Sequence, residues 1–214
     1  ADPNFKKQKL GVGDVIYRDY DGFVMSEGVF AQLEYNYDKL SAFVSGGLSN
    51  TSYWRYDRLY YDKAHAKSDK KHYLGGNVKG GINYNLNEYN NIYFNAGYIN
   101  RAPMFDTSFI NSQNSHARNG DAKNEKVMSF ELGYGFRTGF FTANVNAYYT
   151  RWKDKALYDS GTYDYENEEG VEISQRWTMN MTGAQANHMG IELDFVAKPL
   201  RWLDVTGMFS WGER

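Results

Sequence analysis

Cysteine is missing from all 214 residues, and proline occurs only 3 times. A cytosolic chain of this size usually carries some thiols, whereas an envelope or secreted domain folds without them, so the absence points towards the cell envelope. Long apolar runs are missing as well. Nothing approaches the roughly 18 consecutive apolar residues of a membrane helix, and the mean hydropathy of −0.70 is that of a hydrophilic chain. This excludes a helical membrane protein but not a β-barrel, in which only alternate strand residues meet lipid. An excess of positive charge is also lacking. Lys and Arg total 24 against 26 Asp and Glu, a balance that argues against a nucleic-acid partner. The opening, Ala1-Asp2-Pro3-Asn4, is too polar for a signal peptide, so the start reads as processed or internal.

What the chain has is 19 Tyr, 13 Phe, 5 Trp and 21 Gly, a mixture that favours sheet and turn over helix. Strict apolar/polar alternation recurs eight times. Ala31, Leu33, Tyr35 and Tyr37 alternate with Gln32, Glu34 and Asn36, and after Asp38-Lys39 the pattern returns through Leu40, Ala42, Val44 and Leu48. Val78, Ile82 and Tyr84 alternate with Asn77, Lys79 and Asn83, and Asn87 to Asn90 leads into Ile92, Phe94, Ala96 and Tyr98. Met128, Phe130, Leu132, Tyr134 and Phe136 precede the turn at Thr138-Gly139, then Phe141, Ala143, Val145, Ala147 and Tyr149 follow. Met189, Ile191, Leu193, Phe195 and Ala197 precede Pro199 to Trp202 and the final run Leu203, Val205, Phe209, Trp211. Period two over such lengths is a strand with one apolar face.

Each run spans about 9 to 11 residues, enough for a tilted strand to cross a bilayer. The connections alternate between very short and very long, with long polar segments at 53–73, 100–126 and 153–187. Outer-membrane barrels keep that rhythm, with short periplasmic turns and long external loops. Aromatics close the runs at Tyr37, Tyr84, Tyr98, Phe136, Tyr149, Trp152, Trp202 and Trp211, where an interfacial girdle would place them. The expectation is therefore an all-β, antiparallel, up-and-down set of about eight transmembrane strands. Leu33, Val44, Ile82, Phe130, Val145 and Ile191 would face lipid. Glu34, Asn83, Glu131, Arg137, Asn144 and Glu192 would face the lumen. A complete eight-stranded barrel acting as an adhesin or structural protein, and a soluble β-rich binding module, are the alternatives that local alternation leaves open.

A catalytic constellation is not apparent. His65 and His72 fall in the first long segment, His116 in the second and His188 at a strand start, without zinc-ligand spacing, and they read as solvated. Neither a Gly-x-Ser-x-Gly elbow nor a P-loop occurs, and Gly75-Gly76 and Gly80-Gly81 lie within strands. Asp154, Asp159, Asp164, Glu166, Glu168 and Glu169 make the third segment acidic without the register of an EF-hand, so it reads as solvated and no metal or cofactor is implied. The stretch Tyr53-Trp54-Arg55-Tyr56-Asp57-Arg58-Leu59-Tyr60-Tyr61 gathers aromatic rings and guanidinium groups suited to a sugar, peptide or cyclic ligand. Tyr53, Trp54, Arg55, Tyr56, Arg58, Tyr60 and Tyr61 are the candidate contacts, with loop-against-loop packing as the competing reading.

Several phrases resemble the TonB-dependent receptors of Bacteroidetes, the SusC-like class with a carboxypeptidase-regulatory-like extension. They are Tyr17-Arg18-Asp19-Tyr20-Asp21-Gly22 running into Val29-Phe30-Ala31-Gln32-Leu33-Glu34-Tyr35, and Gly97-Tyr98-Ile99-Asn100-Arg101-Ala102-Pro103-Met104-Phe105. Asn124-Glu125-Lys126 leading to Phe130-Glu131-Leu132-Gly133-Tyr134, and Asn187-His188-Met189-Gly190-Ile191-Glu192-Leu193-Asp194, resemble the family's loop-to-strand junctions. The resemblance implies a segment of a larger barrel of about 22 strands, here without plug or TonB box and ending at Trp211-Gly212-Glu213-Arg214 short of a closing aromatic. It further implies outer-membrane lipid, a plug domain, TonB and, in this class, a surface lipoprotein as partners of the intact receptor. The cargo would be a glycan, peptide, siderophore or corrinoid, and the lumen-facing polar residues would meet plug or solute.

Overall fold

The computed structural model describes residues 4–6, 9, 11–168 and 170–213, with Arg176 and Thr178 described by backbone only. Ala1 to Pro3, Glu169 and Arg214 lie outside the described residues. Eight strands follow in order: β1 Tyr20–Tyr37, β2 Leu40–Asp57, β3 Lys71–Asn85, β4 Asn90–Arg101, β5 Glu125–Arg137, β6 Phe141–Glu166, β7 Glu172–Leu200 and β8 Leu203–Glu213. They form one sheet in which every strand pairs antiparallel with its sequence neighbours. Among the described residues β1 and β8 do not pair with each other, so the sheet is open. An eight-stranded barrel must close on itself, and the complete small barrel is thereby set aside.

Register turns the alternation into two faces. Leu33 pairs with Val44 and Val44 with Gly80, while Ile82 pairs with Phe94 and Phe94 with Leu132. The row continues through Tyr134 to Val145, Val145 to Leu193 and Leu193 to Phe209. Residues directly opposite share a face, so one surface of the whole sheet is apolar. It stands bare, with Leu33 73%, Ile82 54% and Ile191 47% exposed. A water-soluble chain rarely leaves so wide an apolar surface open, and lipid is the solvent that suits it. The opposite face carries Glu34, Asn83, Glu131, Arg137, Asn144 and Glu192, by the same registers.

The short turns lie where the sequence places them, and Asp38 adopts the left-handed backbone (φ 49°) that a tight hairpin requires. The strands, however, are longer than a bilayer needs. β1 begins at Tyr20, eleven positions ahead of the first apolar run, and β6 and β7 have 26 and 29 residues. The segment 53–73 is accordingly not all loop: Tyr53 to Asp57 belong to β2 and Lys71 to Tyr73 to β3. Nor is 153–187 a loop. It is a two-stranded ribbon with its tip at 167–171, along which Asp154, Asp159, Asp164 and Glu166 are spread. The irregular stretches are 58–70, between β2 and β3, and the longer one in 100–126 between Arg101 and Glu125, with one short 3-10 turn at Asp106–Ser108.

Two irregularities divide the ribbon from the wall below it. The β6–β7 register slips between Trp152 and Lys155 and again between Lys155 and Leu157. Asp154 on one strand and Gly183 on the other take positive φ, 55° and 86°. Such bulges bend a strand and raise its twist. Above them one side of the ribbon meets the 102–124 loop, where Asn180 Nδ2 donates to the Phe109 carbonyl at 2.9 Å.

Candidate functional site

The polar face of the wall is a hydrogen-bonded surface centred on Glu131. Its carboxylate accepts from Asn146 Nδ2 at 3.0 Å, Asn95 Nδ2 at 3.2 Å and Tyr93 Oη at 3.4 Å, which joins β4, β5 and β6. Beside it Asn144 donates to Asp194 at 2.8 Å and Asn91 to Asn83 at 2.6 Å. Gly133 makes room for this arrangement, since a Cβ there would lie 2.0 Å from the Tyr93 ring. The surface is hydrophilic and carries acceptors in excess, as a water-lined lumen does.

At the long-loop end, the 102–124 segment folds over this same polar face. Period two carries Tyr53, Arg55 and Asp57 to the inner side of β2 and turns Trp54 and Tyr56 outward. Tyr53 Oη donates to the Pro103 carbonyl at 2.8 Å. Phe105 lies edge-on to Tyr53 at 5.7 Å and covers Gly22, where a Cβ would come within 2.9 Å of the ring. Phe109 is wholly buried among these aromatics, with Tyr73 alongside, and Arg118 stacks on its face at 4.2 Å. This is the principal apolar core of the described residues, and it sits in the mouth.

Arg55 is the centre of the mouth. It and Asp57 are both 0% exposed and joined at 2.9 Å, and the guanidinium lies 4.5 Å over the Tyr20 ring. Burial lowers the pKa of Arg55, and the adjacent Asp57 carboxylate opposes that effect. Its Nη1 lies 3.1 Å from His116 Nδ1. An arginine cannot accept a hydrogen bond, so Nδ1 bears the lone pair. Nε2 then holds the proton and donates to the carbonyls of His65 and Ala66, each at 3.1 Å. Burial, with Arg55 adding to it, lowers the pKa of His116 and keeps the ring neutral. Tyr61 stacks on that ring at 3.8 Å, and its oxygen accepts from the His116 amide at 2.8 Å.

The seven aromatic and arginine candidates are therefore divided. Tyr53, Arg55 and Tyr61 are buried in the mouth packing. Trp54 points outward, stacked on Phe23 at 5.2 Å with the Lys70 ammonium 4.4 Å above it. Tyr56 is exposed on the same side beneath Arg58, which pairs with Asp19 and Asp21. Tyr60 binds the Tyr17 carbonyl at 2.7 Å. Trp152 likewise departs from its expected place in the girdle. It faces inward, with Arg101 5.2 Å from its ring. Glu125, buried nearby, accepts from Arg101 Nη2 at 2.7 Å and from the Ala156 amide at 3.0 Å. His116, read from the sequence as a solvated loop histidine, is instead packed between Arg55 and Tyr61, and sequence reasoning gave Phe109 and Glu125 no part in the mouth. The spacing of Arg55 and Asp57, two apart in a strand and so on one face, was the available signal for their pairing. An open cleft of about 410 Å³ remains beside the packing, lined by Tyr61, His65, Lys67, Asp69, His116 and Arg118.

Comparison with known proteins agrees with this architecture. The family described as TonB dependent receptor-like, beta-barrel matches residues 3–213. No curated protein matches the chain. Among solved structures, the copper transporter OprC superposes with a TM-score of 0.63 at 18% identity, covering 90% of this chain and 30% of its own. The siderophore receptors PirA from Pseudomonas aeruginosa and Acinetobacter baumannii give TM-scores of 0.58 and 0.55, at 14% and 13% identity. Each is covered over 90% of this chain, and this chain spans 43% and 37% of their respective lengths. At such identities the likeness is one of fold. With its open antiparallel sheet, one apolar face and one polar, and the family match along nearly its full length, the chain belongs to the TonB-dependent receptor β-barrel family, whose members reside in the outer membrane.

Proposed function

We propose that residues 1–214 form part of the wall and mouth of a receptor that imports a nutrient across the outer membrane with energy delivered through TonB. The observation that carries this reading is the 102–124 loop folded across the polar face and anchored on Arg55, Tyr53 and Asn180. A wall built only for adhesion has no use for an inward loop that narrows its own lumen. An importer does, because the loop restricts passage and presents side chains to solute. Glu131, Asn144 and Glu192 then contact a plug domain or the moving cargo. The sequence phrases quoted above support the Bacteroidetes, SusC-like class and, with it, a surface lipoprotein partner. Cargo belongs to one of four classes: glycan, peptide, siderophore or corrinoid.

The test is growth of the host on each cargo class as the limiting nutrient, with the gene deleted and then restored. We expect loss on one class, with restoration only in cells that retain a working TonB system. Undiminished growth of the deletion strain on all four, or rescue without TonB, would overturn the proposal.

A further inference from the structure

Where the apolar face of the wall ends, its outward side changes character from strand to strand. The continuous apolar rows end, towards the long loops, at Val29, Leu48, Leu74, Tyr98, Met128, Tyr149 and Met189, and the next outward positions are Glu27, Asn50, His72, Asn100, Lys126, Arg151 and Asn187. Beyond them β1 and β2 carry a further outward apolar patch of Met25, Phe23 and Trp54. Most of the next outward positions are neutral, but β5 and β6 concentrate cations. Lys126 lies directly opposite Lys153, with Arg151 diagonal to it on the same outward face. Like charges placed opposite each other on a sheet repel, so this pairing needs an anion. Asp154 supplies one, bonding Lys126 at 2.7 Å. The carboxylate's pKa is lowered by that bond, with Lys123 and Lys153 contributing further positive charge around it. Three cations thus share one carboxylate, and Arg151 stands beside them. Arg151 gives Nη2 to Gln185 at 3.2 Å, while its Nε is shielded from water without an acceptor among the described residues.

We propose that Lys126, Arg151 and Lys153, with Lys123 beside them, form an outward binding site for the phosphorylated headgroup of an outer-leaflet lipid. Two observations select that occupant. The excess of positive charge is complementary to phosphate. The cluster also continues upward from the lipid-facing row Tyr98, Met128 and Tyr149, so acyl chains lying on those residues bring a headgroup to the cations. The site lies on the opposite side of the wall from the mouth and does not contact the cargo path. It rests on the outward assignment of the apolar face.

The intact receptor in phosphatidylcholine nanodiscs is titrated with lipid A bearing its phosphates and with the dephosphorylated form. Lipid A retention is read by native mass spectrometry. The triple variant K126Q/R151Q/K153Q should retain the phosphorylated lipid roughly 100-fold less well, on a scale of about fivefold for each cation lost. Wild type should discriminate against the dephosphorylated form to a similar degree, a comparison that needs no variant. Inorganic phosphate should not displace the lipid. Equal retention of both lipids by wild type, unchanged retention by the variant, or displacement by free phosphate would each overturn the proposal. A fluorophore at Val145 in the same discs, with brominated lipid as quencher, keeps the two readings apart. Quenching there with no lipid A preference defeats the headgroup site alone, whereas absence of quenching defeats the outward assignment on which it rests.

Discussion

Arg55 is a cation with no access to water, and its ion pair with Asp57 is what makes that tolerable. Removing one partner of such a pair leaves a bare buried charge and costs about 3 to 5 kcal/mol. Asp57→Asn keeps the shape of the side chain, and also an oxygen for the Leu59 and Tyr60 amides that Asp57 Oδ1 now binds. A loss of that size, read as a lower denaturation midpoint of the intact barrel in detergent, would therefore report the charge itself. His116 adds a pH dependence whose sign follows from its lowered pKa. The released loop binds a proton more readily than the packed one, so the packing is fully stable above the ordinary histidine value of about 6.5 and weakens as pH falls below it. Protection factors for hydrogen exchange at Phe109 and Ile110, with intrinsic exchange divided out, should fall as pH drops below about 6.5 in the native protein. A His116→Gln variant should show no such fall. Beyond the two-residue spacing of Arg55 and Asp57, this network was not legible in the sequence, because a neutral histidine wedged against an arginine sixty-one positions away leaves no local pattern.

At the scale of the strand, the sequence was legible wherever lipid constrains it. Leu33, Ile82 and Val145 alternate with Glu34, Asn83 and Asn144, and the observed registers keep the two sets on opposite faces of the sheet. The same principle explains what was misread. Beyond Tyr149 and before Met189 both faces of β6 and β7 leave the apolar band, so no solvent demands a period, and strands that continue for many residues look like polar loop. The girdle assignment failed at Trp152 for a related reason: aromatic residues serve the mouth as well as the interface. Substitution tests the faces directly. Arg in place of Val145 or Ile191 should cost about 2 to 4 kcal/mol near the bilayer midplane, and Arg in place of Asn144 should cost much less. Unfolding from liposomes measures both. Equal penalties at Val145 and Asn144 would show that the two sides of the wall do not meet different surroundings.

For the molecule as a whole, connection length predicts sidedness. The long connections at 58–70 and 102–124 and the ribbon tip at 167–171 belong outside the cell, and the turns near Asp38, Asn87, Thr138 and Pro199 belong in the periplasm. Trypsin added to intact cells should cut at Lys63, Lys67 or Lys70 while sparing Lys39, Arg137 and Arg201. Cleavage confined to the second set would reverse the orientation. The candidate ligand stretch from Tyr53 to Tyr61, expected in a long external loop, is the end of β2 and the start of the connection that follows it. Its division into a buried and an outward half needed the strand to be seen continuing through it.

The paired bulges at Asp154 and Gly183 have a consequence for how such a protein can be altered. Below them the ladder from Phe141–Ala197 to Trp152–Ala186 is uninterrupted, so the register of the wall is set before the ribbon begins. The outer part of the ribbon, beyond the Asn180 anchor of the 102–124 loop, behaves as a cassette. A hairpin of different length or sequence can be grafted there, or an epitope or affinity tag displayed on it, without shifting one side chain of the wall from lipid to lumen. Surface recognition can in this way diversify at the tip while the pore beneath stays the same.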